Sequence, residues 1–166
     1  MVYKRNLEEV DWMEMGHGER FFHRRKALTP YSEPYKPKLG MSFYRLEPGK
    51  RAFPFHRHFA NDEALLITKG TGSLRYGEEM VPLGEGDYVY LPAEAGVAHQ
   101  VVNTGTDALE YFCISTMLMP EVVMYPDSNK VATSYMTSAE DGAGHERKFF
   151  VLRYDAVGYW DGEQPE

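Results

Sequence analysis

Between Leu39 and Thr116, residues that turn or interrupt the chain recur every few positions, among them Asn61-Asp62, Gly70, Gly77, Gly86-Asp87, Pro92 and Gly96. That punctuation leaves little room for a helix-length apolar period. The runs between the turns are short and rich in Val, Ile, Leu, Tyr and Phe, the composition of strands. Strands are predicted over 20–28, 39–46, 51–58, 63–70, 72–76, 79–83, 87–92, 99–103, 108–116 and 147–154, with a hairpin turn around Gly77. Many short strands joined by short loops predict an all-β antiparallel barrel or sandwich.

The flanks differ from this middle. Thr29–Lys38 carries Pro30, Pro34 and Pro37, so it reads as an extended connector behind an N-terminal arm. The expected division is an arm and connector over 1–37, a barrel over 38–117, and a C-terminal loop and strand over 118–166. Residues 119–131 read as a long loop, and Tyr159 and Trp160 as aromatics packed on the barrel wall.

With 166 residues, 43% of them apolar, the chain is long enough to bury a core as one domain. The net charge of −7 argues against a nucleic-acid partner, but it is compatible with a local cationic pocket for a small anion. Cys113 is the single cysteine, which excludes an intramolecular disulfide and a thiolate zinc cluster, and it reads as a buried strand residue. No window approaches the ~20 apolar residues of a membrane span. The first residues lack the apolar stretch of a signal peptide, so no membrane partner and a cytoplasmic location are expected.

The stretch 53–70, FPFHRHFANDEALLITKG, concentrates His56, His58 and Glu63 ahead of an apolar run. If 51–58 is extended, period two puts both imidazoles on one face and Arg57 on the other. A hairpin through Asn61-Asp62 would return Glu63 beside them, on the face of Leu65 and Ile67. An inward carboxylate is expensive unless it is paired or holds a metal. Downstream, His99 opens a strand on which Val101 and Asn103 share its face. Three histidines and a carboxylate suit Mn, Fe, Ni, Cu or Zn, and four protein ligands on an octahedral ion leave two positions open. His17, His23 and His145 lack such company and read as solvated or structural.

These residues resemble the two motifs of the cupins. The first reads Gly49, His56, His58, Glu63, Gly70, and the second Gly86, Pro92, Gly96, His99, Asn103. Two spacings depart from the usual pattern: six residues separate Gly49 from His56 where five are usual, and three separate Pro92 from Gly96 where one is usual. The resemblance implies a cupin-type double-stranded β-helix, or jelly-roll barrel. It implies one divalent transition metal held by His56, His58, Glu63 and His99, a small-molecule ligand or substrate, and pairing as a homodimer in which the N-terminal arm takes part.

The chain also resembles single-domain bacterial cupins described as sugar-phosphate isomerase-like. Such a reaction needs a Lewis acid on oxygen and a base to move a proton. Glu63 is the catalytic base if it is not a full-time ligand. Lys50 and Lys130 are the candidate phosphate contacts, with Tyr125 and Asp127 beside the latter. An Fe(II) small-molecule dioxygenase, with Tyr111 and Cys113 on one strand face, and a non-catalytic metabolite-binding cupin are the alternatives. A pocket holding two cations besides the metal is the feature that would favour a phosphorylated substrate.

Overall fold

The computed structural model describes residues 2–29, 37–138 and 145–163. Most of the proline-rich connector and the His145 side chain lie outside the described residues. Thirteen strands run as β1 (Met13–His17), β2 (Phe21–Ala27), β3 (Leu39–Leu46), β4 (Arg57–His58), β5 (Glu63–Lys69), β6 (Gly72–Tyr76), β7 (Glu79–Leu83), β8 (Tyr88–Leu91), β9 (His99–Val102), β10 (Leu109–Thr116), β11 (Glu121–Tyr125), β12 (Lys130–Ser138) and β13 (His145–Arg153). The described helical segments are three single 3₁₀ turns, and no helix is long and apolar enough to cross a membrane.

All the pairings between these strands are antiparallel. One sheet has the order β1-β2-β3-β10-β5-β8, a second β13-β12-β11-β4, and a third β7-β6-β9. Alternation sets the inner face. On β5 Leu65 and Ile67 are buried while Leu66 between them is 40% exposed. The core gathers Tyr44, Leu46, Leu65, Ile67, Leu109 and Tyr111 with their neighbours from β6 to β9. Tyr111 stacks on Tyr44, ring centroids 5.3 Å apart, which settles that tyrosine as core packing. The arm adds to its own barrel: β2 pairs with β3 from Arg24↔Arg45 to Ala27↔Ser42.

Three sequence expectations change here. Residues 51–58 are not one strand; only Arg57–His58 is regular, and the preceding residues touch β9 through bridges at Arg51↔Val102 and His56↔His99. Five steps along this segment span three along β9, so it bulges between Gly49 and His56, where the motif spacing departs from the usual one. Residues 119–131 are not a loop but the hairpin β11–β12, closed by the Pro126–Ser128 turn. Tyr159 and Trp160 pack edge-to-face on each other and stay 87% and 75% exposed, off the barrel wall.

Candidate metal centre

The four sequence-predicted ligands converge. One ligand atom from each of His56, His58, Glu63 and His99 lies within 4.8 Å of all the others. They come from different places in the fold. His56 ends the bulged segment and exchanges two backbone hydrogen bonds with His99, of 3.1 and 2.7 Å. His58 stands on β4, which pairs with β11, whereas Glu63 opens β5, which pairs with β10 and β8. No β4–β5 hairpin forms; Glu63 meets the histidines across the barrel from another sheet. His99 comes from β9 and is 6% exposed.

The spacing departure of the second motif also has a structural place. The residues between Pro92 and Gly96 form the 3₁₀ turn Ala93–Ala95, and Gly96 ends it in the left-handed region at φ 64°. A side chain there would be strained. The Gly96 carbonyl accepts a hydrogen bond from Arg57 at 2.9 Å, so Arg57 does point away from the imidazoles.

Whether these side chains suit an ion is tested by what they lack. Both ring nitrogens of His58 are buried without a hydrogen-bond partner among the described residues. Its Nε2 is 3.7 Å from Glu63 Oε1 and its Nδ1 is 3.8 Å from Glu121 Oε1, close enough for charge attraction but too long for a hydrogen bond. A buried imidazole without partners is a poor structural residue and a good metal ligand. His56 is fixed the opposite way: its Nδ1 lies 2.8 Å from the Pro54 carbonyl, which leaves Nε2 free for the centre. The donor set, three neutral-capable nitrogens and one carboxylate, fits a divalent transition metal.

Electrostatics agree. Burial, with His99 and His58 nearby, lowers His56 to about 4, so it is neutral near pH 7. Burial would raise the Glu63 carboxyl, but the His99 hydrogen bond of 3.1 Å and the surrounding imidazoles outweigh it and hold Glu63 at about 2. His58 feels burial downward and Glu121 and Glu63 upward, and the carboxylates win.

Sequence reasoning missed Glu121. It opens β11, inside the stretch taken for a loop, and is 4% exposed. Its Oε1 accepts from the backbone N–H of Phe59 at 3.0 Å and of Ala60 at 3.3 Å, and Asn61 Nδ2 donates to its Oε2. Asn61 in turn accepts from Leu118 N at 2.7 Å. This network pins the chain just after His58 and faces the outer nitrogen of that ring with a carboxylate. Glu121→Gln is expected to keep the fold and weaken metal binding about tenfold, within the range for lost outer-sphere partners. Metal content after dialysis against a graded chelator checks it.

The cavity beside the centre, about 310 Å³, is walled by Phe53, Tyr44, Leu65, Tyr111 and Cys113. Cys113 is more than strand packing: its Sγ lies 3.8 Å from Glu63 Oε1, and burial pushes its thiol up. The two lysines expected here stand elsewhere. Lys50 donates to the Glu19 carbonyl, and Lys130 lies over the Tyr125 ring beside a different cavity. Asp127 pairs with Arg75 at 2.6 and 3.1 Å, whereas Tyr125 does reach the centre and stacks on His56 at 6.0 Å. The cations that line the cavity are Arg25 and Arg147. His23 is structural, with Nδ1 2.8 Å from the Ala52 carbonyl, and His17 is exposed.

Antiparallel strands in three hydrogen-bonded sheets, with three histidines and a glutamate clustered between them, define a jelly-roll fold whose site fits a metal ion. Residues 42–115 match the cupin domain family. A structure from Acidithiobacillus ferrooxidans assigned as a sugar phosphate isomerase is 21% identical, with a TM-score of 0.73 over 95% of this chain and 96% of that one. A cupin-superfamily sugar phosphate isomerase from Silicibacter pomeroyi is also 21% identical, with a TM-score of 0.67 over 88% and 92%. A structure from Thermotoga maritima assigned as an oxalate decarboxylase is 23% identical, with a TM-score of 0.60 over 71% and 100%. No curated protein matches the chain in sequence. At these identities the likeness establishes the jelly-roll fold, which hosts many chemistries.

Proposed function

We propose that this chain is a metal-dependent enzyme of the sugar-phosphate isomerase type, moving a carbonyl between adjacent carbons of a small hydroxylated substrate. The observation that carries the reading is the convergence of four ligand atoms within 4.8 Å at the wall of a partly polar cavity. His56, His58, His99 and Glu63 would hold the ion, which when bound supplies a Lewis acid for carbonyl and hydroxyl oxygens. Tyr44 and Cys113 face the same space, both kept protonated by burial, and so offer O–H and S–H donors to substrate oxygens. Phe53, Leu65 and Tyr111 form an apolar wall that excludes bulk water from a proton transfer. The solved structures that cover nearly the whole chain and bear the isomerase assignment support the same reading.

In this reading Glu63 is the fourth ligand, since its carboxylate points between His58 and His99. Glu63→Gln, which keeps the shape and removes the charge, is expected to lose most of the bound metal and all turnover. Metal content and the incorporation of solvent deuterium at the carbon next to the carbonyl of aldose phosphates are the two readouts. Retained metal with lost turnover would instead make Glu63 the proton-moving base. Iron in the purified protein together with oxygen uptake would move the assignment to a dioxygenase, and bound metal with no turnover to a metabolite-binding cupin. A homodimer belongs to the same proposal and is read from sedimentation.

A further inference from the structure

Two arginines from opposite ends of the chain line the same cavity, and among the described residues neither forms an ion pair with a carboxylate. Arg25 stands on β2, two positions from buried His23, so alternation turns both toward the barrel interior. Arg147 stands on β13 in the other sheet, where it donates to Ser134 Oγ at 3.2 Å. Arg25 Nε is buried with no hydrogen-bond partner among the described residues. The acids lining this space are Glu63, turned to the histidines, and Glu121, engaged by Asn61 and two backbone amides.

A guanidinium stays charged in proteins, and holding the partly buried Arg25 without a counter-charge is unfavourable, whereas the exposed Arg147 adds a solvated cation at the cavity rim. The two facing one cavity make it attractive to an anion, and their planar donor forks match tetrahedral oxyanions. The cavity has a second lobe of about 200 Å³, which shares Arg25, Arg147, His58 and Glu63 with the first. This second lobe keeps Tyr44 from the aromatic wall and adds the hydroxyl residues Ser42, Ser115 and Thr116 beside the side chains of Met41, Met117 and Met119. Neutral donors beside two cations suit a dianion better than a monoanion.

We propose that Arg25 and Arg147 form a phosphate subsite, so that the substrate is a phosphate monoester whose phosphate lies in the hydroxyl-lined lobe and whose carbonyl end lies toward the histidines. The assignment rests on the proposed function only for the carbonyl end. Both arginines lie outside residues 42–115, so the flanking strands supply specificity while the shared cupin segment supplies the ligands.

The test is calorimetric titration of the full chain with inorganic phosphate and, separately, with malonate, in metal-loaded and chelator-treated protein. Phosphate is expected to bind in both states, and Arg147→Met and Arg25→Met are each expected to weaken it about tenfold while leaving metal content unchanged. Arg147 is on an exposed strand, so its variant carries the test if Arg25→Met does not fold. Phosphate that binds only with metal present, equal affinity in wild type and Arg147→Met, or malonate bound more tightly than phosphate would each overturn the subsite. Arginine-dependent phosphate binding without isomerase turnover would keep the subsite and remove the proposed reaction.

Discussion

His58→Ala is expected to leave a folded barrel that binds almost no metal. The usual objection to truncating a half-buried residue is lost packing and lost hydrogen bonds. Here the second loss is absent, because neither ring nitrogen of His58 has a partner among the described residues. A buried polar atom without one costs roughly 1–3 kcal/mol, so the alanine relieves a penalty while it loses contact area. The two effects oppose each other, and in chelator the unfolding midpoint should stay near that of the wild type. With metal added the proteins separate. A ligand that binds only the native state stabilises it by about 4 kcal/mol at a thousand times its dissociation constant, and the variant forfeits that. The check is a thermal or urea transition measured with and without a divalent transition metal, beside elemental analysis. A variant that is unfolded in chelator would make His58 structural, and one that takes up metal like the wild type would remove it from the ligand set.

That outcome depends on a cluster that could be read from the chain before any fold was known. Metal ligands tolerate few residue types and strands alternate strictly, so His56, His58, Glu63 and His99 stood out by chemistry and parity together. β3, β6 and β7 begin and end at the expected residues because Gly and Pro bracket β-rich runs there. Where turn residues are themselves part of a hairpin, the same signal misleads. β11 lies between Pro120 and Pro126, and the Asp127–Asn129 run hides the start of β12. β1, Met13–His17, has neither a β-branched nor an aromatic residue besides its terminal imidazole and gains its strand character from pairing with β2.

The outer groups around the centre were illegible for a different reason. Glu121 reaches Phe59 and His58 from about sixty positions away, and nothing local marks it. Arg25 was within reach, since it shares a strand face with a histidine that proves to be buried. Lys50 is expected at the rim from its strand parity with His56, and Lys130 from a tail loop folding over the barrel mouth, but residues 51–58 are not one strand and Lys130 opens a hairpin strand, so neither premise holds. Ligands can thus be found by type, whereas counter-charges and positioning groups need the sheet order.

Asn103 is the motif residue whose substitution should cost the most stability. It is fully buried and directly follows β9. Its side-chain amide donates to the carbonyls of Leu46 at 2.8 Å and Asp107 at 2.9 Å, and its Oδ1 accepts from Gly105 N at 3.0 Å. One side chain therefore ties the end of β3 to the turn that leads into β10. Asn103→Ala leaves two carbonyls and one N–H short of a partner, the Leu46 carbonyl in the core and the other two groups at a turn that water can reach. At roughly 1–3 kcal/mol for each group, with partial rescue by water, the expected loss is about 3–5 kcal/mol. Against a total of about 5–15 kcal/mol for a domain, that is a large shift in the urea midpoint. Asn103→Asp separates donor from shape. It keeps the volume and the acceptor but turns a carboxylate oxygen toward two carbonyls, so it should be at least as damaging as alanine. The metal ligands are intact in both variants, so added metal should stabilise each by nearly the same amount as the wild type, as expected for sites that do not share partners. A loss below about 1 kcal/mol would show that the amide is not what holds these turns.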